Sequence, residues 1–281
     1  MPRVVVVGGA GGVGSAVVDA LLKRGREVAV TVLNPAEADA VAAQHQGRVP
    51  AEVVDLSDSE AARAKIGTLI EAAPDTDAVI VCAAMAPCGP AELVPFSAYL
   101  KAYQVNCLGA VAVYQAALPT LRRNAGRMIF LGSMAGRVSL PFLSPYTATK
   151  FALEALCDAF RQEAAPQGVK ISLIQPGGIK TNLVKHQLED VERRYQALSD
   201  ADRERYGYLY RGFTGFANAS LSSTASSAEQ VAAVVMEAFD ADQPASRYVA
   251  GDDARQLLAS AASMSDQELD ALFAGIFAGH A

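Results

Sequence analysis

Four consecutive β-branched residues, Val4-Val5-Val6-Val7, run without a break into Gly8-Gly9-Ala10-Gly11-Gly12-Val13-Gly14. A strand that is apolar on both of its alternate faces must be covered on both, which calls for a parallel sheet with helices packed on either side. Apolar residues then recur with helical spacing at Val13, Val17, Val18, Leu21 and Leu22, and Gly25 is suited to end that helix. The glycines permit a tight turn and a close backbone approach, and the helix N-terminus behind them leaves N–H groups free for a pyrophosphate. Glycine-rich turns are common in loops of no function. Its place after a buried N-terminal strand is what marks this one as a dinucleotide seat.

The same alternation continues along the chain. Apolar, β-branched runs at 28–33, 49–54, 77–82, 127–131, 169–174 and 247–250 read as six further strands. Helical patterns fall between them, at 36–46, from near Asp58, at 99–121, from Tyr146 to about residue 165, and at 231–239. Strand and helix in alternation predict one α/β domain over 1–281, a Rossmann-type doubly wound parallel sheet of about seven strands with helices on both faces. Ser226 and Glu229 read as a capping box for the helix at 231–239. Two segments stand outside the core. Residues 182–225 pass from charged helical stretches through Tyr208, Leu209, Tyr210, Phe213 and Phe216 to a Ser/Ala-rich link. An insertion of that length reads as a substrate loop or lid, with a subunit contact or a partly ordered loop as the competing reading. The 252–281 extension is helical and apolar, suited to cover a substrate mouth or an interface.

Composition excludes several classes. The net charge of −6 is the wrong sign for a nucleic-acid partner. Four cysteines (Cys82, Cys88, Cys107, Cys157) have no paired spacing, which fits reduced thiols and a cytoplasmic location. His45, His186 and His280 form no metal-ligand pattern, and no metal is expected. No run of eighteen apolar residues offers a membrane span.

A second constellation lies in Gly132-Ser133-Met134 and Ser144-Pro145-Tyr146-Thr147-Ala148-Thr149-Lys150. Tyr146 and Lys150 are four apart at the start of a helix, so phenol and ammonium share one face. A cation beside the phenol favours the phenolate and would pull its pKa toward working pH. Ser133 follows the apolar run 128–131, at a strand's C-terminal end, where a hydroxyl can hold a carbonyl oxygen. A lone tyrosine and lysine at this spacing are more often a half-buried aromatic and a solvated helix residue. The spaced serine is what lifts the pair above that.

At these residues the chain resembles the short-chain dehydrogenase/reductase family, whose motif is a serine about a dozen residues before YxxxK. The resemblance spans most of residues 3–250, and Gly8-x-x-x-Gly12-x-Gly14 is similar to the family's TGxxxGxG, with Val7 in place of the threonine. It implies a strand order of 3-2-1-4-5-6-7 and a cofactor held by Gly8, Gly12, Val13, Gly14, Asn34, Asp55, Ala83, Tyr146, Lys150, Pro176, Gly177, Ile179 and Thr181. Pro176 to Thr181 matches PGxxxT. Asp55 is assigned to the adenine, although capping the helix near Asp58 is an equal reading. Val81-Cys82-Ala83-Ala84 stands where the family has NNAG, so bonds that brace the central strand must come from elsewhere. The family's ribose-reading positions fall on Val32 and Leu33, neither charged. With no carboxylate to repel a 2′-phosphate the reading leans to NADP(H), and NAD(H) stays open.

By the same resemblance Tyr146 is the acid/base, Ser133 orients the substrate oxygen, Lys150 supports the tyrosine and binds the nicotinamide ribose, and Asn106 holds a water on the proton path. The expected partner is a small carbonyl or alcohol. The run 126–183 and Arg247-Tyr248 look similar to hydroxysteroid and retinol dehydrogenases, which suggests a lipophilic ketone or secondary alcohol. Family members commonly pair through the helices read here at 99–121 and 146–165, as homodimers or homotetramers. The alternative is a non-catalytic cofactor-binding sensor or scaffold; an epimerase or dehydratase fits poorly with the glycine spacing.

Overall fold

The computed structural model describes residues 2–279; His280 lies outside them. Seven parallel strands form the central sheet: β1 Arg3–Val7, β2 Glu27–Val32, β3 Ala51–Val53, β4 Ala78–Val81, β5 Arg127–Leu131, β6 Lys170–Pro176 and β9 Arg247–Ala250. Their order is β3-β2-β1-β4-β5-β6-β9, the expected order with the last main strand at one edge. A separate two-residue ladder, β7 Ile179–Lys180 with β8 Ser226–Ser227, was not legible in the pattern.

The valine run explains the layering. Val4 and Val6 pack with Val17 and Leu21 of α1 (Gly12–Lys23) and with Val231, Val235 and Met236 of α9 (Ala228–Asp240). Val5 and Val7 face the opposite layer, meeting Ile66 and Ile70 of α3 (Ser59–Glu71), Val113 of α5 (Gly109–Arg123) and Leu153 of α6 (Ser144–Ala164). All four valines are withdrawn from water. Each apolar side chain buried in this way contributes about 1.5–3 kcal/mol, so the continuous run is stable only in a sheet covered on both faces.

Some boundaries differ from the sequence expectation, each for a local reason. β3 begins at Ala51 and not at residue 49, because Pro50 has no N–H for the ladder; its carbonyl accepts from Val30 at 2.9 Å. The capping box of α9 is Ser227 with Gln230, one residue on from the expected pair Ser226 and Glu229. Ser226 is instead drawn into the two-residue ladder. The helical pattern at 99–121 resolves into α4 (Phe96–Tyr103), one π turn (Gln104–Leu108) and α5. The segment at 182–225 is helical almost throughout: α7 spans Asn182–Gln196 and α8 spans Asp200–Ser223, capped by Ser199. The anticipated link at its end is the last turns of α8. The tail forms α10 (Asp252–Ser263) and α11 (Asp266–Gly279). Among the described residues no helix is long and apolar enough to cross a membrane.

Candidate active site

The C-terminal ends of β1, β4, β5 and β6 open onto a cleft of about 510 Å³. One wall is the glycine turn. Gly8 has φ +84°, and a Cβ there would lie 2.7 Å from Ala83 N, so the first strand and the loop after β4 touch only because neither brings bulk. At Gly14 a Cβ would stand 2.1 Å from the Gly8 carbonyl oxygen, which is how closely α1 rides over the turn. The hydroxyl missing at Val7 is replaced from the neighbouring strand: Gly8 N–H reaches Thr31 Oγ1 at 3.2 Å as well as Thr31 O at 3.0 Å. Thr181 closes against the turn from the far side, near enough that a Cβ on Gly12 would meet its methyl at 2.9 Å.

Gly8, Gly12, Val13, Gly14, Asp55, Ala83, Ser133, Tyr146, Lys150, Pro176, Gly177, Ile179 and Thr181 all line this single cleft. Two expected residues do not. Asn34 is the N-cap of α2 (Pro35–Gln44), its Oδ1 accepting from Glu37 N at 3.0 Å. Asn106 sits buried in the π turn with its amide fully engaged. Oδ1 accepts from Met85 N, while Nδ2 donates to Met85 O and to Thr149 Oγ1, each at 2.9 Å. The loop after β4 lacks the family's asparagines, and this side chain braces it instead. The extra residue of a π turn turns Asn106 inward.

Asp55 holds its carboxylate on Ser57, accepting from the backbone N–H at 2.8 Å and from Oγ at 2.7 Å, and those bonds keep its pKa below the usual carboxylate value. The cap of α3 is Asp58, which leaves Asp55 in the cleft lining. Cleft residues that the motifs did not single out include Thr31, Glu37, Met85, Lys101 and Leu183. Glu37 was discoverable as the third residue of a capped helix; the others carry no sequence signal.

At the chemical end, Ser133 caps a short 3-10 turn, its Oγ accepting from Ala135 N at 3.1 Å. Lys150 is 3% exposed; its Nζ donates to Leu131 O at 2.9 Å and lies 5.6 Å from the Tyr146 ring centroid. Burial raises the Tyr146 pKa, and the Ser133 hydroxyl pulls it back in part. Burial also lowers Lys150 to about 8, against smaller upward pulls from Cys157, Cys107 and Cys82. The pull of the lysine on the phenol, anticipated from the i, i+4 spacing, is not what sets Tyr146: burial is the larger influence and the Ser133 hydroxyl the smaller. What results is a protonated phenol beside a hydroxyl, arranged to donate a proton to an oxygen placed between them.

Phe142 leads into α6 in a left-handed conformation, φ +73°, which an L-residue holds only under outside constraint. Its carbonyl accepts from Gly89 N at 2.7 Å, and its ring packs on Tyr210 and Phe213. Tyr210 and Phe213 therefore hold α8 down, Tyr208 is exposed, and Phe216 reaches a second cavity of about 370 Å³ with Met134, Leu257 and Phe273. α7 is pinned to the loop after β4 by Gln187 Nε2 on Ala86 O, 2.7 Å, and Arg194 Nη1 on Cys88 O, 2.6 Å.

This fold and this Ser/Tyr/Lys wall define a Rossmann-type oxidoreductase scaffold. Residues 2–192 match the short chain dehydrogenase family, and the chain belongs to it. It is 32% identical over 197 residues to human 17-beta-hydroxysteroid dehydrogenase type 1, covering 69% of this chain and 58% of that one. Bovine 11-beta-hydroxysteroid dehydrogenase type 2 is 37% identical over 167 residues, covering 57% of this chain and 41% of the relative. The chain thus spans less than two thirds of either relative's length. Among solved structures, a short-chain dehydrogenase from Streptomyces avermitilis superposes with TM-score 0.75 at 22% identity, covering 98% of this chain and 95% of that one. One from Burkholderia cenocepacia in complex with NADP gives 0.74 at 21%, covering 97% of each chain. These two likenesses carry the fold.

Proposed function

We propose that this protein is an NAD(P)(H)-dependent oxidoreductase that interconverts a ketone and a secondary alcohol on a lipophilic, steroid- or retinoid-like substrate. The observation that carries the reading is that Ser133, Tyr146 and Lys150 share one cleft with the glycine turn and Thr181. The side-chain-free floor at Gly8 and the close seat of α1 at Gly14 fit a pyrophosphate. Gly8, Gly12, Val13 and Gly14 would hold the phosphates, Lys150 the nicotinamide ribose, and Pro176, Gly177, Ile179 and Thr181 the nicotinamide amide. Bound there, the nicotinamide supplies or accepts the hydride equivalent at the carbonyl carbon. Tyr146 Oη gives its proton to the substrate oxygen in reduction and takes it back in oxidation, while Ser133 holds that oxygen and its developing charge. Asn106 supports the site by holding the Met85 loop against the catalytic helix.

The lipophilic substrate is supported by the hydroxysteroid dehydrogenases among the relatives and by the apolar side chains of Met134, Phe216, Leu257 and Phe273 in the lining of the second cavity. α7 and α8 act as the lid, and α10 and α11 as the cover behind it. Assembly as a homodimer or homotetramer is supported by exposed apolar residues on α4, the π turn and α6, with Phe96 93% and Leu100 62% exposed beside Tyr103, Leu108 and Phe151. The test of the activity is Tyr146→Phe, assayed by dinucleotide absorbance against a panel of lipophilic ketones. Turnover should fall about 10²–10⁴-fold, the usual weight of a general acid, with dinucleotide affinity nearly unchanged. Near-normal turnover in the variant would overturn the role of Tyr146, and no turnover by the parent across the panel with dinucleotide bound would overturn the reading in favour of a sensor.

A further inference from the structure

The loop that carries Pro176, Gly177, Ile179 and Thr181 into the cleft is fastened from the C-terminal extension. Two of its ties are backbone: Gly177 N–H donates to Ala250 O at 3.0 Å, and Gly178 O accepts from Ser226 N–H at 2.9 Å. The third is a side chain. Asp253, in the first turn of α10, takes the Gly178 N–H on Oδ2 at 2.7 Å and the Ala254 N–H of its own helix on Oδ1 at 2.9 Å. Among the described residues no other side chain hydrogen-bonds the backbone of 176–181. The carboxylate also fills the space beside Gly177, where a Cβ would stand 2.2 Å from Oδ1. Gly251 leads into α10 at φ +102°, a conformation open to glycine, and that bend sets Asp253 against the loop. Asp253 lines the second cavity and not the cleft, so whatever it does to a dinucleotide it does through the loop.

Taking the loop as the nicotinamide end of the site proposed above, we infer that Asp253 is a positioning residue for the nicotinamide half of the dinucleotide. Two adjacent glycines have more backbone freedom to lose on ordering than any other pair, so this loop needs an anchor. A carboxylate on the Gly178 N–H is a charge-assisted bond, about twice as strong as a neutral one. In a planar trans peptide the C=O points opposite to the N–H, so the bond turns the Gly177 carbonyl away from α10. Gly177 lines the cleft, and that carbonyl is an acceptor suited to a carboxamide N–H. With the anchor removed, the peptide between the two glycines is free to rotate and the acceptor is no longer fixed. The extension after β9 thus serves the cofactor half of the site as well as covering the substrate half.

The competing account is that Asp253 only steadies the N-terminus of α10, where an acid is favourable and the Ala254 N–H takes an acceptor. Comparing a whole dinucleotide with the same molecule lacking its nicotinamide separates the two. Full-length parent and variants are titrated calorimetrically with NADH and ADP-ribose, and with NADPH and 2′-phospho-ADP-ribose. Melting temperatures are taken alongside. The parent should bind its preferred dinucleotide at least about tenfold more tightly than the matching fragment. Asp253→Ala should weaken that dinucleotide about tenfold and leave the fragment within about twofold. Asp252→Ala removes the exposed neighbouring charge of the same helix turn, paired with Arg255, and should move neither. Should Asp253→Ala fail to fold, Asp253→Asn, which keeps one acceptor oxygen of the two, should show the same split at about threefold. A dinucleotide-to-fragment ratio unmoved by the Asp253 substitutions, or lowered equally by Asp252→Ala, overturns the inference while leaving the dinucleotide site intact. A parent that binds fragment and dinucleotide alike overturns the assignment of the loop to the nicotinamide, and a parent that binds neither takes down the site reading. The inference falls with either.

Discussion

Replacing Lys150 with methionine should change how stability responds to pH, in a direction and over a window set by the burial of its ammonium. Lys150 is 3% exposed, and its burial lowers the pKa from 10.5 to about 8. Between those two values the unfolded chain holds a proton on this side chain that the folded chain has released. Stability therefore rises with pH across the window, and below about pH 8, where both states are protonated, the full cost of the buried charge is present. A difference of about 2.5 pKa units at 1.36 kcal/mol each makes that cost about 3 kcal/mol. In Lys150→Met the contribution is gone. The parent-minus-variant difference in unfolding free energy should climb by about 3 kcal/mol as pH is raised from below 8 to 10.5, whatever constant offset the lost bond to Leu131 O adds. Urea denaturation of both proteins at a series of pH values, without dinucleotide, measures the difference, and other titrating groups cancel in the subtraction. Two parallel stability curves would refute the reasoning. They would mean that the ammonium is solvated in the folded state and so is not the closely held cation the proposed chemistry requires.

Gly14→Ala should abolish dinucleotide binding and cost about 1–3 kcal/mol in a thermal melt, because its Cβ would stand 2.1 Å from Gly8 O and α1 must retreat. Gly67→Ala, inside α3 with open space around it, should instead stabilise by about 0.5–1 kcal/mol. Asn106→Ala leaves both backbone groups of Met85 without their partner and should lower stability by about 2–4 kcal/mol, with faster hydrogen exchange at the Met85 amide. Unchanged exchange there would show that the π turn does not brace the loop. Leu108→Glu with Phe151→Glu places charges on the exposed apolar face, 51% and 43% accessible, and should convert the proposed homo-oligomer to monomers in sedimentation. A monomeric parent would overturn that assignment of the face.

Much of the scaffold was readable from local pattern. β5 and β9 occupy the expected residues 127–131 and 247–250, and α6 begins two residues before Tyr146, where Pro145 fits the first turn. The misses have physical causes. The aromatics at 208–216 divide, with Tyr210 and Phe213 packed on Phe142 and Phe216 at the second cavity, and periodicity alone does not say which neighbour a helix face will find. The capping box sits one residue on, at Ser227 and Gln230, while Ser226 and Ser227 both pair with Ile179–Lys180, a contact between residues far apart in the chain.

The amino-acid order by itself determined the layered sheet, the glycine turn and the Ser133/Tyr146/Lys150 spacing, since each depends on neighbours within a few residues. Only the tertiary structure decided which groups meet across those elements. Thr31 supplies the hydroxyl that Val7 lacks, Asn106 braces the loop where asparagines are missing, and Glu37 brings a charge to a strand end that looked neutral. It also decided that Tyr146 and Lys150 are both desolvated, which biases each toward its neutral form. Burial belongs to the packed molecule, and spacing along a helix carries no measure of it.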